Sequence, residues 1–428
     1  MILVGVRKPR EPEWMVDDSI AELAELAVSA RATVLERFIC RPRKASPATF
    51  IGKGKTEELR DRAQALGAAA VIFDDDLTPV QARNIEEIAG VRVVDRTQVI
   101  LDIFAQRAQT REGQLQIELA QLEYMLPRLR GTAAGLDQQK GGIGLRGPGE
   151  KKLELDRRRV ELKIDQIRLS LEQVRSRREE LRRGRRRHGW ALVCLVGYTN
   201  VGKSTLLNAL SGARIYTDDK LFATLDPTTR RIDLPNNQPA LLTDTVGFIR
   251  KLPTHLVEAF KATLEEVVRA DLLIHVIDAS HPLAEQQIDA VEQVLRDLGA
   301  HERPRIDVLN KTDRPEATAR AARLAPKLRH PVPISALTGE GLDALRTELA
   351  DLLRERSVPF AALIPLSDGR TQAILRQSAS IEEEEYTEEG LRVSGRIPAR
   401  LLGAVTPFLI PGGADDEPGA GGERDLSD

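Results

Sequence analysis

The chain has 428 residues, and its 63 Lys and Arg nearly balance its 65 Asp and Glu, which leaves a formal net charge of −2. This length exceeds that of a single hydrophobic core and predicts several domains. Two cysteines, Cys40 and Cys194, exclude a disulfide framework, and no stretch approaches the 18 apolar residues of a membrane-spanning helix. We therefore expect a cytoplasmic protein that is not stably inserted in a membrane.

The first 108 residues alternate short apolar runs with amphipathic segments. Runs at residues 2–6, 33–39, 69–73 and 91–94 predict strands. Amphipathic segments lie at residues 20–26, near Thr56 and at residues 78–88. This alternation predicts a small N-terminal α/β domain with a mainly parallel sheet.

Residues 109–188 follow a different pattern, which predicts an antiparallel helical hairpin. Leucines recur every three or four residues from Leu115 to Leu129, and the same spacing of apolar residues returns from Val160 to Val174. We expect Pro127 to kink the first helix or to end it early. Between the two helices, residues 131–149 contain seven glycines and predict a loop at the tip of the hairpin.

The second half of the chain predicts two further domains and a tail. Residues 190–356 place apolar runs at 191–196, 240–242, 272–277 and 306–309 with helical segments between them, which is the order of a doubly wound α/β domain. Residues 359–410 predict a small α+β C-terminal domain with the order β-α-β-β-α. Residues 411–428 are acidic and rich in glycine, so we expect a disordered tail.

A phosphate-binding loop is predicted where the first strand of the doubly wound domain ends. The sequence GYTNVGKS lies between an apolar run and a helical run, as a P-loop requires. Its glycines let backbone N–H groups surround a β-phosphate, Lys203 can place a cation on the β and γ oxygens, and Ser204 can bind Mg²⁺. A glycine-rich turn that contains these residues by chance is the alternative, which the flanking strand and helix disfavour. The phosphate-binding candidates are Gly197, Tyr198, Thr199, Asn200, Val201, Gly202, Lys203, Ser204 and Thr205.

Two further segments predict the rest of a magnesium and γ-phosphate site. Asp244 follows an apolar run and can hold Mg²⁺ directly or through water, and Gly247 can offer its N–H to a γ-phosphate. Residues 221–231 lie where a segment would become ordered around the γ-phosphate, with Thr224 as the first choice for the metal-sensing threonine and Thr228 as the second. The predicted metal ligands are Ser204, Thr224 and Asp244, and the predicted catalytic residues are Lys203, Thr224 and Gly247.

The run Asn310-Lys311-Thr312-Asp313 predicts a guanine site. A carboxylate at Asp313 can accept hydrogen bonds from N1–H and from the exocyclic amine of guanine, a pair of donors that adenine lacks. The wrong base would leave a buried carboxylate unpaired, which disfavours its binding. In isolation, such a run is a common surface turn, so the prediction of GTP depends on the other motifs. The guanine-binding candidates are Asn310, Lys311, Asp313, Ser335, Ala336 and Leu337.

Taken together, these segments resemble the HflX family of ribosome-associated GTPases. The resemblance rests on LVGYTNVGKSTLLNAL, LFATLDPTTR, LLTDTVGFIRK and NKTD, and upstream on FIGKGKTEEL, residues 93–129 and GGIGLRGPGEKKLELDRRR. It covers residues 45–355 well and residues 359–410 loosely. It implies binding to the large ribosomal subunit and its RNA, splitting of stalled ribosomes, and GTP hydrolysis coupled to release.

One position departs from the pattern of many GTPases, which place a glutamine just after the DxxG motif to orient the attacking water. Here that position is Phe248, which cannot hydrogen-bond to water. We therefore expect slow intrinsic hydrolysis that the ribosome stimulates. Asn200 resembles an asparagine that supports a potassium ion in some relatives that lack the glutamine, so potassium stimulation is a hypothesis.

The second helix of the predicted hairpin carries an excess of positive charge, although the whole chain is nearly neutral. Residues 151–187 contain fifteen Lys and Arg against seven Asp and Glu. Such a helix is often only a solvated face with i,i+4 ion pairs, yet a basic rod with a glycine-rich tip also suits a cavity lined by RNA. The RNA-binding candidates are Lys140, Arg146, Arg157 and Arg158.

Two other classes of function are compatible with the sequence. The first is a nucleotide-switched regulator that acts on a protein partner without RNA, which charge reversal in residues 175–187 would test. The second is a phosphotransferase, which the guanine-reading run disfavours. We expect GTP and GDP as ligands, Mg²⁺ as cofactor, and a monomer.

Overall fold

The computed structural model describes residues 1–9, 11–42, 44–134, 148–186, 190–212, 221–222, 224–235, 238–251, 261–355, 357–398 and 401–410. Within these ranges the chain forms a four-stranded, a six-stranded and a three-stranded sheet, in that order. A pair of long helices lies between the first and second sheets in sequence. No helix in the described part of the chain combines the length and the apolar character needed to cross a lipid bilayer.

The first sheet is entirely parallel, with the strand order β2-β1-β3-β4. Its central strands are apolar on both faces because helices cover both sides. The third helix begins at a capping box, in which Thr78 and Gln81 satisfy each other's backbone N–H groups. The parallel α/β fold that the sequence predicts is confirmed. Its elements are β1 (Ile2–Val6), α1 (Glu13–Ser29), β2 (Glu36–Cys40), α2 (Lys53–Ala65), β3 (Ala70–Phe73), α3 (Pro79–Ala89) and β4 (Arg92–Asp95).

Three helices follow this sheet: α4 (Arg96–Arg107), α5 (Arg111–Ala134) and α6 (Pro148–Arg186). Helices α5 and α6 pack against each other through an apolar seam that contains Leu115, Leu119, Leu122, Ile167, Leu171 and Val174. The spacing of leucines and isoleucines in the sequence predicts this seam.

Of the two effects expected at Pro127, a kink or an early end, the early end is wrong. Helix α5 continues past Pro127 to Ala134, so residues 131–134 are helical and not part of a loop, and the same holds for residues 148–149 at the start of α6. Contacts with the first sheet hold this part of the helix: the Tyr124 hydroxyl donates to Asp95 over 2.6 Å, and Arg128 donates to Asp95 over 2.9 Å. Residues 135–147, which include Lys140 and Arg146, lie outside the described residues.

The second sheet has the strand order β10-β9-β8-β5-β7-β6. All neighbouring strands are parallel except β6, which pairs antiparallel with β7 at the edge. The sequence does not predict β6, because only Ile232 and Leu234 are buried in this strand and no apolar run marks it. The elements are β5 (Ala191–Gly197), α7 (Lys203–Ser211), β6 (Thr228–Leu234), β7 (Gln238–Asp244), α8 (Lys261–Arg269), β8 (Leu272–Asp278), α9 (Ala284–Asp297), β9 (Arg305–Asn310), α10 (Ala317–Leu324), β10 (Val332–Pro333) and α11 (Leu342–Glu355).

The third sheet is antiparallel, with the order β11-β13-β12. A small core that includes Phe360, Leu375 and Val393 lies between this sheet and its helices. The predicted order β-α-β-β-α agrees with the elements, which are β11 (Ser357–Ile364), α12 (Gly369–Ser378), β12 (Ser380–Thr387), β13 (Gly390–Pro398) and α13 (Leu402–Val405). The predicted tail, residues 411–428, lies outside the described residues.

The largest hydrophobic core extends from the N-terminal helices into the second sheet. In this core the ring of Phe104 in α4 meets the ring of Phe222 edge to face, with centroids 4.5 Å apart. Phe222 belongs to the segment between α7 and β6. The N-terminal region therefore packs directly on the segments that surround the predicted nucleotide site.

Candidate nucleotide-binding site

The predicted phosphate-binding loop connects β5 to α7 at the carboxyl edge of the second sheet. Gly202 has a φ of 95°, and a Cβ at this position would lie 2.4 Å from the Nδ2 atom of Asn310, so only glycine fits. The ammonium group of Lys203 is buried and donates to the carbonyl of Tyr198 over 2.7 Å. Burial lowers the pKa of Lys203 to about 8, although the nearby carboxylate of Asp244 raises it. The loop thus holds a buried positive charge that an anion such as a phosphate would stabilise.

Three oxygen-bearing side chains converge beside Lys203. The Ser204 hydroxyl donates to Oδ2 of Asp244 over 2.6 Å, the Thr224 hydroxyl donates to the same oxygen over 2.9 Å, and the two hydroxyls are 2.9 Å apart. The structure therefore brings together the three predicted metal ligands. Thr228, the second choice, instead begins β6, where its backbone lies opposite that of Asp244.

This oxygen cluster suits a magnesium ion. Burial raises the pKa of Asp244, against the effects of Lys203 and the two hydroxyls. The Oδ1 atom of Asp244 is buried without a hydrogen-bond partner in the described residues, and so is the Oγ1 atom of Thr199. Hydroxyl and carboxylate oxygens are the ligands that Mg²⁺ prefers, and P-loop GTPases generally use this ion. The residues present therefore fit the cofactor.

The DxxG segment pairs with the phosphate-binding loop through its backbone. The N–H of Phe248 donates to the carbonyl of Gly197 over 3.0 Å, and the N–H of Thr199 donates to the carbonyl of Phe248 over 2.8 Å. A Cβ at Gly247 would lie 2.8 Å from the Cγ2 atom of Thr199 and 3.0 Å from the Nζ atom of Lys203. Glycine is therefore required at position 247 for this close approach. The ring of the next residue, Phe248, is fully buried.

The predicted guanine-binding residues lie around the end of β9. The Ser335 hydroxyl donates to Oδ1 of Asp313 over 2.6 Å, which orients that carboxylate. The ammonium group of Lys311 donates to the carbonyl of Asn200 over 2.8 Å and to Asp278 over 2.6 Å. The structure thus connects the predicted guanine site to the phosphate-binding loop. The side chain of Leu337 is exposed at the rim.

Asp278, at the end of β8, also lies in this site, although no motif in the sequence indicates it. Burial would raise the pKa of its carboxyl, but hydrogen bonds from Lys311 and Ser280 outweigh this effect and hold the pKa below its usual value. Its position at the carboxyl end of β8 is the signal that could have identified it, because ligand sites of parallel sheets lie at that edge.

A second group of residues that the sequence did not indicate connects helix α1 to the site. The hydroxyl of Tyr198 donates to the carboxylate of Glu22 and accepts a hydrogen bond of 2.8 Å from the N–H of Arg250. Arg96 is buried, pairs with Glu22 and with Asp74, and donates to the carbonyl of Arg250 over 3.2 Å. These bonds join the phosphate-binding loop, the DxxG segment and the N-terminal domain.

The residue after Arg250 extends this network. Lys251 forms ion pairs with Asp74 and Asp75, and Arg250 pairs with Asp18 of helix α1. Burial would raise the pKa of Asp74, but Arg96 and Lys251 outweigh burial and hold it below its usual value. No sequence motif marks these contacts, because the partners are separated by more than 170 residues.

The two predicted RNA-binding residues that the structure describes lie on helix α6. Arg157 pairs with Glu161 over 2.9 Å, and Arg158 pairs with Glu154 over 3.4 Å. Both pairs are of the i,i+4 type and open to solvent, so each contributes little to stability. Arg158 is exposed and Arg157 is half-buried, and each is bound to a glutamate of its own helix.

Comparison with known proteins assigns this arrangement to a family. Three consecutive segments match the family models described as GTP-binding GTPase N-terminal (residues 17–105), GTP-binding GTPase Middle Region (residues 107–185) and 50S ribosome-binding GTPase (residues 192–311). A crystal structure of a GTP-binding protein from Sulfolobus solfataricus in complex with GDP is 26% identical and covers 83% of this chain and 99% of its own, with a TM-score of 0.42.

Curated relatives that match almost the whole chain have a higher sequence identity to it. GTPase HflX of Lacrimispora saccharolytica is 45% identical over 405 residues, which cover 95% of each chain. GTPase HflX of Escherichia coli is 45% identical over 398 residues, which cover 92% of this chain and 93% of the relative. With this identity along almost the whole length, the chain belongs to the HflX family of GTPases, enzymes that hydrolyse GTP.

Proposed function

We propose that this GTPase binds the large ribosomal subunit in the cytoplasm, as a monomer, and splits stalled ribosomes into subunits. The observation that carries the proposal is the match of residues 192–311 to the family described as a 50S ribosome-binding GTPase. The basic helix α6 supports it, because exposed Lys and Arg bind RNA phosphates with release of counterions. The weak ion pairs of Arg157 and Arg158 exchange readily for such contacts.

We infer the following roles for the nucleotide site. Residues 197–205 bind the phosphates, and Lys203 neutralises charge on the β and γ oxygens. Asp313 accepts hydrogen bonds from guanine, in the orientation that the Ser335 hydroxyl supports. Ser204, Thr224 and Asp244 hold Mg²⁺, which supplies positive charge to the β- and γ-phosphates when bound.

We further propose that hydrolysis is slow in the free protein and is stimulated by the ribosome. Phe248 occupies the position of the water-orienting glutamine, and its buried ring has no polar atom to offer. A potassium ion beside Asn200 would supply part of the missing charge stabilisation. Asn200 has a φ of 60° and lies at an exposed turn of the phosphate-binding loop, where its side chain is accessible.

Sedimentation of ribosomes in sucrose gradients tests the proposal. We expect free subunits to accumulate, with this protein on the large subunit, in the presence of GTP and also of a non-hydrolysable analogue. We expect little splitting with GDP. Splitting with the analogue would place hydrolysis after the separation of the subunits. Failure of the protein to sediment with the large subunit in any nucleotide state would refute the proposal.

Charge reversal on helix α6 distinguishes this function from a regulator that acts on a protein partner. The combined change Arg157→Glu and Arg158→Glu should weaken sedimentation with the large subunit and reduce its salt dependence. The matched control is Arg60→Glu with Arg83→Glu, on helices α2 and α3 of the N-terminal sheet. Equal ribosome binding by the α6 variant and the control at low salt would favour the regulator.

A further inference from the structure

The segment that carries Thr224 is anchored on both sides to the N-terminal half of the chain. On one side the buried ring of Phe222 packs against Phe104 of helix α4. On the other side Asp226 bonds to the beginning of helix α5. Thr224 itself reaches the oxygen cluster at Ser204 and Asp244. The position of this threonine therefore depends on helices that belong to another domain.

Asp226 uses both of its carboxylate oxygens at the start of α5. Its Oδ2 atom accepts hydrogen bonds of 2.9 Å from the N–H groups of Gln109 and Thr110, and its Oδ1 atom accepts from the Thr110 hydroxyl. The positive end of the helix dipole adds to this attraction for a carboxylate. Two backbone donors and one hydroxyl thus fix the carboxylate from several directions.

Helix α5 does not need Asp226 as a cap, because Thr110 already fulfils this role. The Thr110 hydroxyl accepts from the N–H of Gly113 over 3.1 Å, and its carbonyl accepts from the N–H of Gln114 over 2.9 Å. A Cβ at Gly113 would lie 2.6 Å from the Oδ1 atom of Asp226. The missing side chain in the first turn of α5 therefore provides the space that the carboxylate occupies.

We propose that Asp226 is a positioning residue for GTP hydrolysis, which holds Thr224 at the metal site by its bonds to the first turn of α5. The inference deepens the proposed function, since it rests on the role of Thr224 as a Mg²⁺ ligand. Two residues of chain span at most about 7 Å, so the anchoring of Asp226 restricts the positions that Thr224 can occupy. Helix α5 packs along the basic helix α6. A partner that shifts this helical pair therefore changes the geometry of the metal site.

Substitutions on both sides of the contact test the inference in the full-length protein. Asp226→Ala removes the carboxylate, and Gly113→Ala keeps it but displaces it from α5. For both variants we expect kcat for GTP hydrolysis to fall by about tenfold to a hundredfold, as for a misplaced catalytic group. The Mg²⁺ concentration for half-maximal hydrolysis should rise. GDP affinity, which serves as the measure of folding, should stay within about twofold because the lost contacts do not touch the P-loop.

Two further variants make the outcomes distinct. Asp233→Ala, at an exposed aspartate of β6, is the matched control and should leave kcat and the Mg²⁺ dependence unchanged. Thr224→Ala should reproduce the defect of Asp226→Ala, and the double variant should lose no more than Thr224→Ala alone. If Asp226→Ala hydrolyses GTP normally while Thr224→Ala is defective, the positioning role of Asp226 is overturned and the metal role of Thr224 stands. Normal hydrolysis by Thr224→Ala would overturn the metal role on which it rests.

Discussion

The side-chain amide of Asn310 donates to the carbonyl of Val201 over 2.8 Å, which joins the guanine-reading segment to the phosphate-binding loop. The amide oxygen of Asn310 accepts a hydrogen bond of 2.9 Å from the N–H of Ala336. Asn310 is buried, so both bonds are shielded from water. One side chain therefore holds three loops of the nucleotide site in a fixed relationship.

Asn310→Ala should weaken both nucleotide binding and the fold. It leaves the Val201 carbonyl and the Ala336 N–H buried without partners, and each such group costs about 1–3 kcal/mol. We expect the free energy of unfolding to fall by about 2–5 kcal/mol and GDP affinity to fall at least about tenfold. Urea unfolding and calorimetric titration measure these changes. Asn84→Ala is the control, at a half-buried asparagine whose bond to the Ala48 carbonyl is open to solvent, and should cost under about 0.5 kcal/mol. Equal losses of stability in the two variants would contradict the role of Asn310.

Asp313→Asn should change the preferred base. The carboxylate of Asp313 accepts hydrogen bonds from two N–H donors of guanine. The amide of an asparagine would instead place its own N–H donor against one of these donors. Xanthine presents a carbonyl where guanine has its amine, so an amide can donate to it. We expect GTP affinity to fall by about a hundredfold or more and XTP to bind better than GTP. Competition with a fluorescent nucleotide measures the preference. Unchanged selectivity for GTP would show that Asp313 does not read the base.

Lys203 should make the stability of the nucleotide-free protein rise with pH in the alkaline range. Burial lowers its pKa from 10.5 to about 8, so between these values the unfolded chain holds the proton and the folded protein does not. The free energy of unfolding therefore increases from pH 8 to 10.5, by about 3–4 kcal/mol at about 1.4 kcal/mol per pKa unit. Urea unfolding at several pH values, compared with Lys203→Met, isolates this effect. A difference between the two proteins that does not vary with pH would disprove it.

The local parts of this site could be predicted from the sequence because each motif lies next to its own strand. Lys203 and Ser204 follow β5, Asp244 ends β7 and Asn310 ends β9. Because the carboxyl ends of parallel strands lie at one edge of a sheet, the order of the apolar runs is enough to predict that these residues lie close together. Strand β6 was missed because an edge strand with one apolar face has no continuous apolar run.

The contacts between domains could not be predicted in this way. Asp226 binds the start of α5 across more than 115 residues, and a single acid in a polar segment carries no signal of its partner. At Pro127 the local signal is present, yet the helix does not end there. Its local effect on the helix is real, but the bonds of Tyr124 and Arg128 to Asp95 stabilise the helical conformation around it.

Potassium should stimulate GTP turnover if it binds beside Asn200. At equal ionic strength we expect turnover to be on the order of tenfold faster in KCl than in NaCl, because a fixed cation stabilises charge that develops on the phosphates. Asn200→Ala should remove the difference between the two salts and leave the rate in NaCl nearly unchanged. Phosphate release under single-turnover conditions measures this. Equal turnover of the unmodified protein in both salts would eliminate the potassium hypothesis.

Phe248→Gln should not create a faster enzyme, although it places a glutamine where many GTPases have one. The backbone of residue 248 is bonded to Gly197 and Thr199, and its side chain lies in the hydrophobic core. A glutamine there would bury an amide in apolar surroundings, which costs about 2–4 kcal/mol of stability. We expect a lower unfolding midpoint and an intrinsic kcat within about twofold of the original. Phe248→Leu should lose only about 1 kcal/mol. A tenfold rise in kcat for Phe248→Gln would show that this side chain can turn from the core to the attacking water, and that the missing glutamine alone limits the reaction.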